Sequence, residues 1–327
     1  MPFKIVQEDI TKMKADAIVN AGNTSLQMGG GVCGAIFKAA GAKKLQAACA
    51  GLAPLRTGEA VITPGFKLAA KYIIHTAGPV YQPFNKEESR RLLRAAYSNS
   101  LQAAVDHGCE SIAFPLISSG IYGYPPAEAL QVASTAITEF LRGHELDVAL
   151  VVLDKSALEP GKELLDAVAG YLGDHYTETF AAVPLAELKQ TEESFVEVRQ
   201  LSAPAKTIDE LIGDLDEPFS DFLLGLIDAK GMTDVEVYKR ANLDRKLFSK
   251  IRSNKDYRPS KRTVLSLAIA LRLSLEETDD LLKRAGLALS HAVKSDVIVE
   301  YFIINHRYDI FEINELLFKY DQPLLGS

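Results

Sequence analysis

Val19-Asn20-Ala21-Gly22-Asn23 runs on to Gly29-Gly30-Gly31-Val32-Cys33-Gly34, and much further along Pro115-Leu116-Ile117-Ser118-Ser119-Gly120-Ile121-Tyr122-Gly123 again follows an apolar run. An apolar run that ends in a glycine-rich turn ahead of a helix places backbone N–H groups at the carboxyl end of a strand, where they can wrap a diphosphate. Either string alone is ordinary, since most glycine clusters are only turns. Together they point to one anion-binding cleft between two strand ends. Neither is a Walker loop, because no Gly-Lys-Ser/Thr follows, and neither is the Rossmann fingerprint.

Working outward, short β-type runs occupy Lys4–Val6, Ala17–Asn20, Ala60–Thr63, Tyr72–Thr76, Ser111–Leu116 and Val148–Leu153. Helical periodicity marks Gly34–Ala40, Leu92–His107, Ala127–Leu141 and Lys162–Leu172. Several of the β-type runs are apolar throughout, as buried central strands are. The alternation predicts an α/β sandwich with a mixed sheet, and there is no internal repeat. Residues 174–217 hold Pro184, Pro204 and a net charge of −8, and read as an acidic linker. Residues 218–290 read as a small all-helical domain with net charge +4, and 291–327 as an aromatic and aliphatic helical extension. That extension is expected to cover one face of the helical domain.

The chain has 327 residues, 47% hydrophobic, which suits two domains with ample core. It has no run of eighteen apolar residues and no basic-then-apolar amino terminus, so neither a membrane span nor a secretory signal is expected. The three cysteines, Cys33, Cys49 and Cys109, lack CxxC spacing and fit free thiols in a reducing cytoplasm. The six histidines form no close pair, so no zinc motif is evident.

From Phe3 to Gly173 the chain resembles the macrodomain family. The match rests on Asp9-Ile10-Thr11, Asp16-Ala17-Ile18-Val19-Asn20, Thr57-Gly58-Glu59-Ala60, Ile74-His75-Thr76-Ala77-Gly78-Pro79 and Ser118 to Pro125 as well as on the two glycine strings. The resemblance implies a three-layer α/β/α sandwich over 1–173 that binds ADP-ribose with no metal or redox cofactor. It implies that Asp9, with Ile10, receives the adenine amino group, although Glu8 stands where the family has glycine. Gly30, Gly31, Val32, Cys33, Ser118, Ser119, Gly120, Ile121 and Tyr122 would surround the diphosphate. Asn23 would hold the distal ribose, with Asn20 bracing the loop, and Tyr122 could lie over that ribose. In one hydrolase branch an Asp follows Gly-Gly-Gly-Val and a His comes four residues later; here these are Cys33 and Phe37. Without that acid there is no evident general base. Asn23 and Tyr122 are therefore the expected catalytic residues, orienting the ribose and a water held by the ligand's own phosphate. Cys33 reads as a small buried filler, and His75 as a structural histidine.

The helical domain resembles the helix-turn-helix of the Cro/lambda-repressor type. Met232 to Ala241 forms a helix capped by Thr233 or Asp234, Asn242-Leu243-Asp244 the turn, and Arg245 to Arg252 a basic helix. Ser274-Leu275-Glu276-Glu277 is a capping box for a later helix. Asn242 stands where that family has glycine, which a left-handed turn tolerates. Tyr238 replaces a small residue where the two helices pack. The resemblance implies DNA contacts from Arg245, Lys246, Ser249, Lys250 and Arg258, with a protein partner through 218–327 as the other possibility. Two functions are expected to compete: hydrolysis of ADP-ribosyl adducts, including O-acetyl-ADP-ribose, or sensing of ADP-ribose coupled to the helical domain.

Overall fold

A computed structural model describes residues 3–153, 162–176 and 217–326. Most of the acidic stretch 174–217 lies outside the described residues.

Six strands form one sheet: β1 (Phe3–Gln7), β2 (Ala17–Gly22), β3 (Ala60–Pro64), β4 (Tyr72–Ala77), β5 (Ser111–Pro115) and β6 (Asp147–Val152). Their spatial order is β1-β6-β5-β2-β4-β3. The five strands from β1 to β4 run parallel, and β3 pairs antiparallel on β4, so the sheet is mixed as expected. Each apolar strand serves two faces because successive side chains alternate. Val19, Ile74, Phe114 and Leu150 meet α3 (Lys86–Asp106) and α4 (Pro126–Leu141) through Leu93, Tyr97, Ala133 and Ile137. Their neighbours Ile18, Ile73, Ala113 and Val151 meet α1 (Gly31–Ala40) and α2 (Ala42–Ala50) through Ile36, Phe37, Leu45 and Cys49. The result is three layers, α/β/α. Helix α2 was not apparent in the sequence.

The helical region is built from α6 (Phe219–Ala229), α7 (Asp234–Arg240), α8 (Arg245–Ser253), α9 (Lys261–Leu271), α10 (Leu275–Arg284), α11 (Lys294–Ile304) and α12 (Ile310–Lys319). Thr233, not Asp234, caps α7, in a capping box with Glu236, and Ser274 with Glu277 does the same for α10. Phe302, Ile303, Ile313, Leu316 and Leu317 of the final two helices join the helical core. Helix α5 (Lys162–His175), although read with the first region, places Val168 and Leu172 in that same core, and its Tyr171 hydroxyl donates to Glu300 at 2.8 Å. Its apolar face is buried by helices rather than by the sheet.

The helical region docks on the amino ends of β1 and β6. Asn242 takes a left-handed backbone (φ +54°), as a tight turn requires. Its side-chain amide accepts from the Phe3 N–H and donates to the Phe3 carbonyl, both at 2.7 Å. It completes the free edge of β1 as a partner strand would. Tyr238 donates to Glu145 at 3.0 Å, and Lys239 donates at 2.8 Å to the carbonyls of Leu141 and Arg142 that end α4. Charge at a helix C-terminus complements its exposed carbonyls. Phe311 packs on Phe3 with ring centroids 5.1 Å apart. Among the described residues no helix is long and apolar enough to cross a membrane.

Candidate functional site

Parallel strands point their carboxyl ends the same way, and the loops that leave β1, β6, β5, β2 and β4 line one cleft of about 610 Å³. The ends of β1 and β2 lie three ladder steps apart, roughly 14 Å. That spread gives the cleft room for an elongated ligand with distinct ends.

At the β1 end, Asp9 caps a 3₁₀ turn (Ile10–Lys12). Its Oδ1 accepts the Thr11 N–H at 2.9 Å and the Thr11 hydroxyl at 2.7 Å. These bonds hold its carboxyl below the usual aspartate range, so it stays an anion with Oδ2 available as an acceptor. Glu8 lies alongside, its Oε1 accepting the Asp9 N–H at 3.1 Å.

In the middle, Gly30 caps α1, whose unpaired first-turn N–H groups open on the cleft. Gly31 has φ +56°, a conformation glycine adopts without a steric cost. Facing it, Ser118, Ser119, Gly120, Ile121 and Tyr122 line the opposite wall. Ser118 is unusual twice over: it has φ +66° and is 7% exposed, yet its hydroxyl has no hydrogen-bond partner among the described residues. A strained residue with an orphan polar group is uncommon in a native interior and collects where ligands bind. Gly78 makes the arrangement possible, since a Cβ there would lie 2.3 Å from the Ser118 Oγ.

At the β2 end, Asn23 is fixed in its loop. Its Oδ1 accepts from the Ser25 hydroxyl and the Gln27 N–H, and its Nδ2 donates to the Gln27 carbonyl at 2.9 Å. One amide hydrogen is left for a ligand. Cys33 is buried, its Sγ 3.5 Å from the Gly29 N–H that points at it. Among the described residues no histidine, lysine or arginine lines the cleft, so the thiol has no basic partner among them there.

Every expected ligand residue lines the cleft except Asn20. That side chain is 1% exposed and lies beneath the floor, its Nδ2 donating to His75 Nδ1 at 3.0 Å. With Nδ1 accepting, the proton sits on Nε2, which donates to the Thr63 hydroxyl at 2.9 Å. Burial pushes His75 down to about 4, so it is the neutral structural histidine expected. Gly78, Val151, Val152 and Leu153 also line the cleft; only the order of the strands brings them there. Among the described residues no group of three or more His, Cys, Asp or Glu could hold a metal ion.

The basic helix is amphipathic. Phe248 and Ile251 face the core, while Arg245, Lys246, Ser249 and Lys250 are exposed, as is Arg258 beyond it. Asp234 pairs with Arg252, and Lys250 lies 4.9 Å from the centre of the Tyr257 ring. Tyr238, which looked ill-suited to close helix packing, is the residue that reaches Glu145.

The Macro domain family model matches residues 19–133. A solved Oceanobacillus iheyensis macrodomain with ADP is 42% identical, covering 45% of this chain and 80% of that one, with a TM-score of 0.43. The O-acetyl-ADP-ribose deacetylase of Salmonella typhimurium is 47% identical over 148 residues, 44% of this chain and 82% of the enzyme. A macro domain-containing protein of Chlorobaculum tepidum is 52% identical over 136 residues, 42% of this chain and 78% of that protein. At such identity over most of the relatives' length, the chain belongs to the Macro domain family.

Proposed function

We propose that the protein binds ADP-ribose in this cleft and hydrolyses ADP-ribosyl adducts, either mono-ADP-ribosyl esters or O-acetyl-ADP-ribose. The observation that carries the reading is the wall of the cleft: the first-turn N–H groups of α1 beyond Gly30 face the Ser118–Tyr122 loop, with left-handed backbone at Gly31 and Ser118 and no cationic side chain among the described residues that line it. That wall suits a diphosphate held by neutral donors. Asp9 suits an amino-bearing base, and Asn23 suits a ribose hydroxyl. A relative named O-acetyl-ADP-ribose deacetylase supports the chemistry.

In this reading Asn23 orients the distal ribose and the attacking water, and Tyr122 lies over that ribose. A phosphate oxygen of the ligand accepts the water's proton as the water adds to the ester. The ester C–O bond breaks, the phosphate returns that proton to the departing ribose oxygen, and the products are the free acid and ADP-ribose. Positioning supplies the rate, since Cys33 offers no acid–base partner. The test is ADP-ribose release over time from O-acetyl-ADP-ribose and from a glutamate-ADP-ribosylated protein, beside Asn23→Ala. Release abolished in the variant supports hydrolysis; no release by the wild type, with ADP-ribose still binding, overturns it.

A second reading rests on α8, whose exposed Arg245, Lys246, Ser249 and Lys250 form a basic face suited to a nucleic-acid backbone or an acidic partner. There the cleft is a sensor and the helical region reports on it. Salt-dependent DNA binding that changes on adding ADP-ribose and is lost in Lys246→Ala/Lys250→Ala would support it; DNA binding indifferent to ADP-ribose would sink it.

A further inference from the structure

Among the described residues, the ionised side chains that line the cleft are all of one sign. Glu8 and Asp9 carry negative charge at the β1 end, and no lysine, arginine or histidine of the described residues lines the wall. Glu8 is exposed and stands where the family pattern has glycine. Lys12 is exposed outside the lining; its charge reaches Asp9 but leaves Glu8 without an ion pair among the described contacts. The diphosphate subsite manages without cations because clustered N–H groups meet it. The β1 end has no such cluster and is walled by Ile10, Val151, Val152 and Leu153. An anion placed there would meet two carboxylates across an apolar surface.

We infer that Glu8 and Asp9 select the ligand by charge: the cleft accepts an ADP-ribosyl group whose adenosine ribose is unphosphorylated and turns away the same group with a further phosphate on that ribose. The inference rests on the cleft being an ADP-ribose site with the base at Asp9. The adenosine ribose then lies next to the base, within about one Debye length (~8 Å at physiological salt) of both carboxylates. A phosphate monoester there adds close to two negative charges at neutral pH. Repulsion of that size through water weakens binding about tenfold at low salt. Steric exclusion would give a similar preference, but it would not respond to salt or to removal of a charge at constant size.

The experiment is calorimetric titration of the full chain with ADP-ribose and with 2′-phospho-ADP-ribose, at low salt and at roughly 1 M salt. It is run on the wild type, Glu8→Gln and Glu8→Asp, and the readout is the ratio of the two affinities within each protein. The wild type is expected to prefer ADP-ribose about tenfold at low salt, with the ratio falling towards unity at high salt. Glu8→Gln should reduce the ratio about threefold, and Glu8→Asp should keep most of it. Equal affinities in the wild type, or a ratio unmoved by Glu8→Gln and by salt, overturn the inference while leaving the ADP-ribose site intact. Failure of the wild type to bind ADP-ribose at all overturns the functional reading, and this inference with it.

Discussion

Ser118 and Asn242 sit at opposite ends of the parallel sheet and share an uncommon backbone, with φ +66° and +54°. Both are buried, at 7% and 5% exposure. Asn242 uses its amide on the N–H and carbonyl of Phe3, whereas the Ser118 hydroxyl has no partner among the described residues. The amino ends of β1 and β6 are thus closed by the protein's own helices, and the carboxyl ends of the parallel strands open on the cleft. The same left-handed backbone is tied down by side-chain hydrogen bonds at one end and lines the wall of the cleft at the other.

The largest expected effect tests the open end. Asn23→Ala should lower adduct hydrolysis about 100-fold or more while circular dichroism stays unchanged. Activity within a few-fold of wild type would show that the cleft works without the amide.

Next comes the floor beneath it. His75 is neutral in the folded chain, with its pKa lowered from 6.5 to about 4 by burial. The unfolded chain therefore binds the extra proton as pH falls through 6.5, and the folded chain does not until about 4. Stability should fall across that window by up to ~3 kcal/mol and level off below it. In denaturant titrations at several pH values, His75→Gln should be less stable at neutral pH but flatter between pH 6.5 and 4. An equal slope would place the titrating group elsewhere.

The closed end is tested by Asn242→Gly, which keeps the left-handed backbone but strands the Phe3 N–H and carbonyl. We expect a loss of about 2 kcal/mol, with Asn242→Ala about 1 kcal/mol worse because Ala tolerates positive φ poorly. ADP-ribose affinity should stay within about threefold, a change of under 1 kcal/mol. A larger drop would mean the two ends are coupled, and the contrast between them would fail.

The smallest effect sharpens the comparison. Ser118→Gly removes both the strain and the orphan hydroxyl, so it should stabilise the fold by about 1 kcal/mol while weakening ADP-ribose binding several-fold. Thermal unfolding and calorimetry on one preparation read both. A destabilised variant would show that the hydroxyl serves the fold instead.

Most of the sheet was legible in the sequence because its strands are short apolar runs, four of them, β2 to β5, ended by glycine or proline. Asn23 and the two glycine walls were legible because loops after such runs land on one edge. Helix α2 was not, since only Leu45 and Cys49 are buried along it and Gly41 interrupts the pattern. Asn20, expected to brace the loop, points inward beneath the cleft, and strand alternation sets that once His75 is known to be opposite. Asn242 could be read as a turn residue from its place between two helices. Its bond to Phe3, 239 positions away in the chain, could not, because nothing local specifies a partner that distant. The orphan hydroxyl of Ser118 is likewise a property of packing: it depends on how close Gly78 comes.

Asn242 holds Phe3 through main-chain atoms alone, so this clasp is indifferent to which amino acid occupies position 3. What is demanded of that residue comes instead from Phe311, against whose ring it lies. The bonds from Lys239 to the Leu141 and Arg142 carbonyls share that indifference to side-chain identity, whereas the bond from Tyr238 holds only while position 145 keeps an acceptor. Through these contacts the seam constrains the sandwich at two side chains, Phe3 and Glu145, and otherwise reads only its main chain.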